Sequence, residues 1–294
     1  MHKSSIYLPD ELKHQLADLA TRTGRSEADL IRHAIERLLA LSDTPAAFAT
    51  GPVVIHPRPA LIGVGVGPGD PGLITDRARA TLLSADRVLV ISTDVRSVGR
   101  AEMVVRAIAP AAHVHRVPFE ISGDTDARQA SLQAVANQIL AAVDAGELVA
   151  VAVIGDPSQW TVFPELAAWV AASRAGLHIS AEPGITSYQA AAASTGVSLG
   201  VAGAALVVLD DASDLDRCLQ SGDDAVVLYK ASTDAQTVKA AAARAARHDA
   251  VVAELSGLPG QRLLPLGETP DGPISYLAAI VFPARLAVPA GLPA

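Results

Sequence analysis

Apolar and polar positions follow different patterns on the two sides of residue 60. Downstream of Ala60, short apolar runs rich in valine and leucine alternate with alanine-rich stretches of helical period. Short apolar runs bounded by glycine, proline and polar residues predict buried strands, and the alanine-rich stretches predict helices. The predicted strands are residues 61–66, 87–91, 113–117, 148–154, 178–181, 204–209, 225–229, 250–255 and 276–282. The clearest predicted helices are residues 132–145, 163–175, 187–193 and 235–248.

The order of these elements predicts an α/β fold class with two lobes. Strands that alternate with helices form layered folds whose strands are mostly parallel. The alternation restarts after Gly184, so we expect a first lobe over residues 60–180 and a second over residues 181–284. Residues 42–59 carry four prolines and no clear period, which predicts a linker. Residues 285–294 are expected to form a loose tail.

The first 41 residues have a pattern of their own. Residues 4–8 alternate apolar and polar side chains, which predicts a short strand. A helix is expected to begin at Pro9 and end at Gly24, and Ser26 is expected to cap a second helix. The apolar stripes of the two helices are Leu12, Leu16, Leu19 and Ala20, and Leu30, Ile31, Ala34, Ile35, Leu38 and Leu39. So small a unit cannot close a core alone, so we expect it to need a partner copy.

Residues 3–40, "KSSIYLPDELKHQLADLATRTGRSEADLIRHAIERLLA", resemble the ribbon-helix-helix family of dimeric regulators and antitoxins. The resemblance implies that Lys3, Ser5 and Tyr7 contact DNA bases and that the backbone near Ser26 meets a phosphate. Within residues 1–41, six lysines and arginines balance six acidic residues, so counterion release would add little affinity for DNA. DNA binding and dimerisation without DNA both remain open.

Composition excludes several classes of protein. Half of the 294 residues are apolar, the formal net charge is −8, and the sequence pI is about 5.4. This balance argues against a protein that mainly coats nucleic acid. Cys218 is the only cysteine, so no disulfide can form within the chain, which fits a reducing cytoplasm. We see no signal-peptide pattern and no apolar run of membrane-spanning length, so we expect a cytoplasmic, soluble protein without membrane partners.

The glycine-rich stretch "GVGVGPGDPGLIT", residues 63–75, raises a question about what approaches the backbone there. Residues 67–72 match the dinucleotide pattern G-x-G-x-x-G, and Asp94 follows 22 residues after Gly72, as a ribose-binding acid would. However, two prolines remove N–H donors from the segment that would bind the pyrophosphate. A nicotinamide-dependent enzyme therefore stays only as an alternative.

Five segments in fixed order resemble the tetrapyrrole methylase family, and within it the precorrin-2 methyltransferases that act at carbon 20. They are the glycine-rich stretch above, "GDPSQWTVFPEL" (155–166), "AEPGITSYQAAAA" (181–193), "VVLYK" (226–230) and "ELSGLP" (254–259). The resemblance covers about residues 60–283. It implies an enzyme of two α/β lobes, with a cleft between them that binds S-adenosylmethionine (SAM) and a flat tetrapyrrole. His113 and His115 lie on one face of a predicted strand and could contact a metal ion, but two histidines without a third ligand make a poor site, so we expect no metal.

The resemblance also implies individual roles. By motif position, the SAM contacts would be Pro68, Gly155, Asp156, Pro157, Thr161, Phe163, Thr186, Ser187, Tyr229, Leu255 and Gly257. Asp70 would be the catalytic residue, which orients the tetrapyrrole or accepts its proton. Alternatively, the glycines only allow tight packing and Asp70 caps the following helix. Candidate cations for a macrocycle that carries several carboxylates are Arg96, Arg100, Arg116, Arg128 and Lys230.

Three functions remain open at this point. The first is SAM-dependent C-methyl transfer to a precorrin-like tetrapyrrole, and the second is methyl transfer by this fold to a different acceptor. The third is a DNA-binding regulator whose methylase-like body senses SAM or a corrinoid. Both modules are expected to be dimeric, so the chain is predicted to form a homodimer.

Overall fold

The computed structural model describes residues 8–42, 56–120, 124–220, 222–229 and 233–285. Outside the described residues lie the predicted strand up to Tyr7, with Lys3 and Ser5, most of the predicted linker, Lys230 and nearly all of the predicted tail. The chain forms two compact units. The first runs to Gly67 and continues from Ile74 to Gly184, and the second comprises Pro68–Leu73 and the chain from Ile185 onward.

The first unit contains a five-stranded parallel sheet with the order β3-β2-β4-β1-β5. Its strands are β1 (Ala60–Gly65), β2 (Arg87–Ser92), β3 (Val114–Pro118), β4 (Leu148–Val153) and β5 (His178–Glu182). Every residue of β1 and β4 is buried, as expected for central strands covered on both faces. The predicted strands of this lobe are confirmed to within one residue at each end.

Helices cover both faces of this sheet. They are α3 (Asp76–Ser84), α4 (Arg100–Ile108), α5 (Thr125–Asp144) and α6 (Phe163–Ser173). Side chains alternate between the faces along each strand, so Leu61 packs with α5 and α6 while Ile62 packs with α3 and α4. Both odd- and even-numbered positions of these strands are therefore buried, which explains why β1 and β4 are continuous apolar runs in the sequence.

The second unit contains a mixed sheet with the order β6-β7-β10-β8-β9. Its elements are α7 (Ser187–Thr195), β6 (Leu206–Leu209), α8 (Leu215–Leu219), β7 (Ala225–Tyr229), α9 (Ala235–Arg244), β8 (Val251–Glu254), β9 (Arg262–Pro265) and β10 (Ala278–Phe282). Only β6 and β7 pair in parallel, because β10 returns antiparallel between β7 and β8. The expectation of mostly parallel strands is correct for the first sheet and wrong for this one.

Two helices precede the first sheet, α1 (Asp10–Thr23) and α2 (Glu27–Ser42). Gly24 ends α1 at φ 66°, and the Ser26 hydroxyl accepts from the Asp29 N–H at 3.1 Å, so both predicted caps are confirmed. Leu30 is buried, whereas Leu12 is 49% exposed and Ile35 is 46% exposed in the single chain. The predicted apolar stripes are thus only partly covered. No described helix combines the length and apolar composition that crossing a membrane requires.

Candidate functional site

The strand order of the first sheet identifies the edge at which a ligand is expected. β1 continues into α3 on one face of the sheet, while its neighbour β4 continues into α6 on the other face. Adjacent strands that lead to opposite faces define a topological switch point, and α/β proteins bind ligands there, beyond the carboxyl ends of the strands. Two segments of the first unit lie at this point. They are residues 66–67 of the glycine-rich stretch and residues 154–162, which overlap the second sequence motif.

The same strand order excludes the dinucleotide alternative. In a nicotinamide-binding fold with strand order 3-2-1-4-5-6, the first strand pairs with the second. Here β4 lies between β1 and β2, so the glycine-rich stretch does not follow a strand in the dinucleotide-binding position. Asp94, the candidate ribose acid, instead accepts from the Arg96 N–H at 2.9 Å, and this bond, with the Arg96 guanidinium, lowers the pKa of its carboxyl.

Three glycines allow the backbones at the switch point to touch. A Cβ on Gly65 would lie 2.6 Å from both the Gly155 oxygen and the Gly184 nitrogen. A Cβ on Gly184 would overlap the same Gly155 oxygen and would lie 2.8 Å from the Gly65 Cα. The Gly155 N–H also donates to the Gly67 oxygen at 2.8 Å, and Gly155 has φ 77°. Residues with side chains cannot replace these glycines without moving the main chain.

Asp156 connects two of the strand-end segments. One carboxylate oxygen accepts from the Gly184 N–H at 3.0 Å, and the other accepts from the Ser158 N–H at 2.8 Å. Both oxygens are therefore engaged with the protein. Asp156 holds the segment after β4 against the segment after β5, and its predicted contact with SAM stays a prediction.

The remaining predicted residues of this segment are also ordered by the chain itself. The Thr161 hydroxyl donates to the Pro157 oxygen at 2.7 Å. The Phe163 ring lies in the core, where a Cβ on Gly63 would be 2.6 Å from its Cδ1 atom. Trp160 is 40% exposed and has a left-handed backbone, with φ 47°. Backbone strain of this kind is concentrated at functional sites, so Trp160 marks the exposed part of this segment.

A buried carboxylate lies directly before Pro183-Gly184. Glu182, which is 2% exposed, accepts from the Arg77 Nε at 2.8 Å and Nη2 at 3.1 Å. The Thr81 hydroxyl donates to the same carboxylate at 3.4 Å, and the His56 Nε2 lies 3.5 Å from it. Burial lowers the pKa of His56, an effect that the Glu182 charge opposes. Sequence reasoning missed Glu182, although a charged residue at the end of a predicted buried strand is itself a signal.

In the second unit, residues 68–70 of the glycine-rich stretch pack against the loop that follows β8. A Cβ on Gly257 would lie 3.0 Å from the Pro68 Cγ and 3.2 Å from the Asp70 nitrogen. A Cβ on Gly69 would lie 2.6 Å from the Leu258 Cγ. The predicted site residues Pro68, Asp70 and Gly257 are therefore neighbours.

Asp70 begins the short 3-10 turn Pro71–Leu73. Its Oδ1 accepts from the Gly72 N–H at 2.8 Å, and its side chain is exposed. Asp70 thus caps this short turn only, whereas the following helix α3 is capped by Thr75, whose hydroxyl accepts from the Ala78 N–H at 3.1 Å. Because the capping bond involves only one carboxylate oxygen, it leaves the carboxylate accessible from solvent.

Thr186, Ser187 and Tyr229 also lie in the second unit. Thr186 caps α7 through a reciprocal pair with Gln189, in which its N–H donates to the glutamine oxygen at 2.9 Å and its hydroxyl accepts from the Gln189 N–H at 3.3 Å. Ser187 is the first residue of α7. Tyr229 ends β7 and contacts Tyr188 edge to face, with ring centroids 5.5 Å apart.

Most of the candidate cations are occupied. Three pair with carboxylates, Arg96 with Asp94, Arg116 with Glu102 and Arg128 with Glu165. The Arg116 guanidinium lowers the pKa of buried Glu102 by hydrogen bonding to it. Arg100 is exposed at the start of α4. Within the described ranges, no group of three or more histidine, cysteine or acidic side chains could hold a metal ion.

The fold is α/β, its first sheet has a switch point lined by glycines, and the five sequence motifs are distributed over the two units. The family model of the Tetrapyrrole (Corrin/Porphyrin) Methylases matches residues 60–269, and the chain belongs to this family. A second model, the ribbon-helix-helix protein of the copG family, matches residues 5–42. Both resemblances seen in the sequence are thereby confirmed.

Individual relatives agree with this assignment. Cobalamin biosynthesis protein CobIJ of Mycobacterium tuberculosis is 28% identical over 237 residues, which are 77% of this chain and 46% of the relative. The chain thus spans about half the length of this curated relative. Precorrin-2 C(20)-methyltransferase of a Sinorhizobium species is 28% identical over 236 residues, 76% of this chain and 94% of the relative. The solved structure of the cobalt precorrin-4 methyltransferase CbiF shares the fold, with a TM-score of 0.57, 21% identity and coverage of 76% of this chain and 93% of that chain.

Proposed function

We propose that the chain is a SAM-dependent C-methyltransferase that acts on a precorrin-2-like tetrapyrrole in cobalamin biosynthesis. The observation that carries the proposal is the carboxyl edge of the first sheet, where Gly65, Gly155 and Gly184 bring three strand-end segments into main-chain contact at a switch point. Family membership and relatives named as precorrin and cobalamin-synthesis methyltransferases support it.

The residues present fit a nucleoside methyl donor. Residues 155–157 are glycine, aspartate and proline at a strand end, where a nucleoside base would approach main-chain groups without bulky side chains in the way. The remaining donor contacts would come from Thr161, Thr186, Ser187, Tyr229 and the loop around Gly257. When bound, SAM supplies an electrophilic methyl group. Pro68 and Phe163 are also predicted to contact SAM.

Methyl transfer to an electron-rich carbon requires little acid–base catalysis by the protein. The residues must align the acceptor with the methyl group and exclude water. Asp70 is the titratable group of the glycine-rich stretch whose carboxylate is exposed. We propose that it orients the tetrapyrrole through a pyrrole N–H or accepts the proton that the methylated carbon releases.

Replacing Asp70 by asparagine tests this role. Asp70→Asn keeps an oxygen that can accept from the Gly72 N–H but removes the charge, so kcat is expected to fall on the order of 100-fold while the KM for SAM stays nearly constant. The assay incubates the protein with SAM and precorrin-2 or its cobalt form, and mass spectrometry detects the addition of one methyl group. Asp76→Asn, at an exposed residue in the first turn of α3, is the matched control. Unchanged turnover in Asp70→Asn would contradict the assigned role, and absence of a methylated product from both substrates would contradict the proposed function.

A second candidate function is favoured by the match of residues 5–42 to ribbon-helix-helix proteins. We propose that α1 and α2 pair with those of a second copy, which would cover the exposed Leu12 and Ile35 and produce a homodimer. In this arrangement, Lys3, Ser5 and Tyr7 would contact DNA, and the methylase body would sense SAM or a corrinoid. The same homodimer without DNA binding is the simpler form of the proposal.

DNA binding can be separated from dimerisation by fluorescence anisotropy. At low salt, the full chain is expected to bind labelled promoter DNA from its own operon, and Lys3→Ala or Ser5→Ala should weaken this binding about tenfold or more. Lys13→Ala, an exposed lysine of α1, should have little effect. A protein that sediments at twice 30.2 kDa but binds no DNA would leave dimerisation as the role of this segment.

A further inference from the structure

The hydroxyl of Ser256 is an unpaired polar group in the second unit. Ser256 is 3% exposed, and within the part of the chain that the structure describes its Oγ has no hydrogen-bond partner. Among the described residues, the only other buried side-chain nitrogen or oxygen without a partner is the Arg58 Nε, whose guanidinium still donates to the Ser84 oxygen and pairs with Asp86. Most buried polar side-chain atoms in proteins are paired, so an exception calls for an explanation.

The loop around Ser256 is complete without this hydroxyl. The Gly257 N–H donates to the Gln261 Oε1 at 2.7 Å, and the Leu258 N–H donates to the Leu255 oxygen at 2.9 Å. The Gln261 N–H in turn donates to the Leu258 oxygen at 3.1 Å. Alanine at residue 256 would therefore satisfy the loop equally well and would avoid burying an unpaired group. The serine is not explained by the folding of the loop.

The backbone on both sides of Ser256 is also unusual. Leu255 has φ 52° and Gly257 has φ 72°, and the left-handed region is unfavourable for leucine. Strained conformations and unpaired buried groups are found together at binding sites, where a ligand compensates for them. Gly257 also lies against Pro68 and Asp70 of the glycine-rich stretch. Ser256 thus lies in the chain between two predicted SAM contacts, and its neighbour Gly257 packs against the Asp70 main chain.

We propose that the Ser256 Oγ forms a hydrogen bond with the methyl donor, an adenosyl sulfonium compound. This inference rests on the proposed function and adds a direct ligand contact to it. Because this hydroxyl is buried, only a ligand that binds inside the unit could reach it. A hydroxyl can donate to a carboxylate or a ring nitrogen, and it can accept from an ammonium group or a ribose hydroxyl. The donor carries all of these groups.

Ser256→Ala in the full chain tests the contact by two measurements. The dissociation constant for S-adenosylhomocysteine, measured by calorimetry, is expected to rise about tenfold, because one hydrogen bond to the ligand is lost. The melting temperature without ligand is expected to stay constant or to rise, because the removed group has no partner among the described residues of the free protein. Ser84→Ala is the matched control, since the buried Ser84 hydroxyl donates to the Thr81 oxygen at 3.0 Å. This control should lower the melting temperature and leave ligand affinity unchanged.

The two ways in which the idea can fail are distinguishable. If Ser256→Ala binds S-adenosylhomocysteine with wild-type affinity, the proposed contact is wrong and the proposed function is unaffected. A fall in melting temperature equal to that of Ser84→Ala would show that the hydroxyl is paired within the protein, which also overturns it. If the wild-type chain does not bind S-adenosylhomocysteine, the proposed function fails and the contact fails with it. Titration with adenosine and with methionine identifies the half of the donor that Ser256 meets, as the half that loses affinity in the variant.

Discussion

Gly184→Ala is expected to lower the free energy of unfolding by at least about 4 kcal/mol. Losses of this size are exceptional for a single substitution and indicate a clash that small local shifts do not relieve. The new methyl group would overlap the Gly155 oxygen and would lie 2.8 Å from the Gly65 Cα. Both are main-chain atoms, and Gly65 is held by the pairing of β1 with β4. Relief therefore requires moving the segment after the edge strand β5 away from the ends of β1 and β4. Urea unfolding followed by circular dichroism measures the effect.

Gly267→Ala provides the control for this substitution. Gly267 has an ordinary backbone conformation, and nothing lies within 4 Å of the position that its Cβ would occupy. Its replacement is expected to change the free energy of unfolding by no more than about 0.5 kcal/mol. If Gly184→Ala were as mild as Gly267→Ala, the three strand ends would not be in contact, and the switch point would lose the geometry on which the proposed function depends.

Glu182→Ala is expected to cost about 3 kcal/mol, the lower part of the range for breaking a buried ion pair. Arg77, whose side chain is 60% exposed, can turn to water when the carboxylate is removed. His56 and Thr81 are buried and cannot. They keep their own hydrogen bond, at 2.8 Å, but the Thr81 hydroxyl loses the carboxylate to which it donates. Glu182→Gln keeps one acceptor oxygen and should be intermediate. The measurement is again the free energy of unfolding, at neutral pH.

The surface pair Arg128–Glu165 offers a matched comparison for Glu182. It is also a two-bond arginine–carboxylate pair, with distances of 2.8 and 2.6 Å, but both side chains are at least a third exposed. Exposed pairs contribute little, so Glu165→Ala should cost at most about 1 kcal/mol. Equal losses for Glu182→Ala and Glu165→Ala would mean that the cluster before Pro183-Gly184 is solvated, contrary to the burial described above.

Local pattern was sufficient for most elements and for the motifs. Strands such as β4 and β7 are uninterrupted apolar runs, and such short runs are typical of buried strands. The predicted bounds of β7 are those observed. The caps at Gly24 and Ser26 depend on neighbouring residues only, so sequence predicts them well. The strand β9 was missed because its four residues include Pro265 and show no alternation. The motifs identified the family because their order and spacing are properties of the chain alone.

By itself, the sequence determined the α/β class, the separate N-terminal helices and the five segments that carry the methylase resemblance. Only the tertiary structure decided that β4 lies between β1 and β2, that β10 returns antiparallel, and that Gly65, Gly155 and Gly184 meet. The same holds for the Glu182 cluster and the unpaired Ser256 hydroxyl. These features join residues that are far apart along the chain, and pairing over such distances depends on the packing of all layers at once, which no local pattern contains.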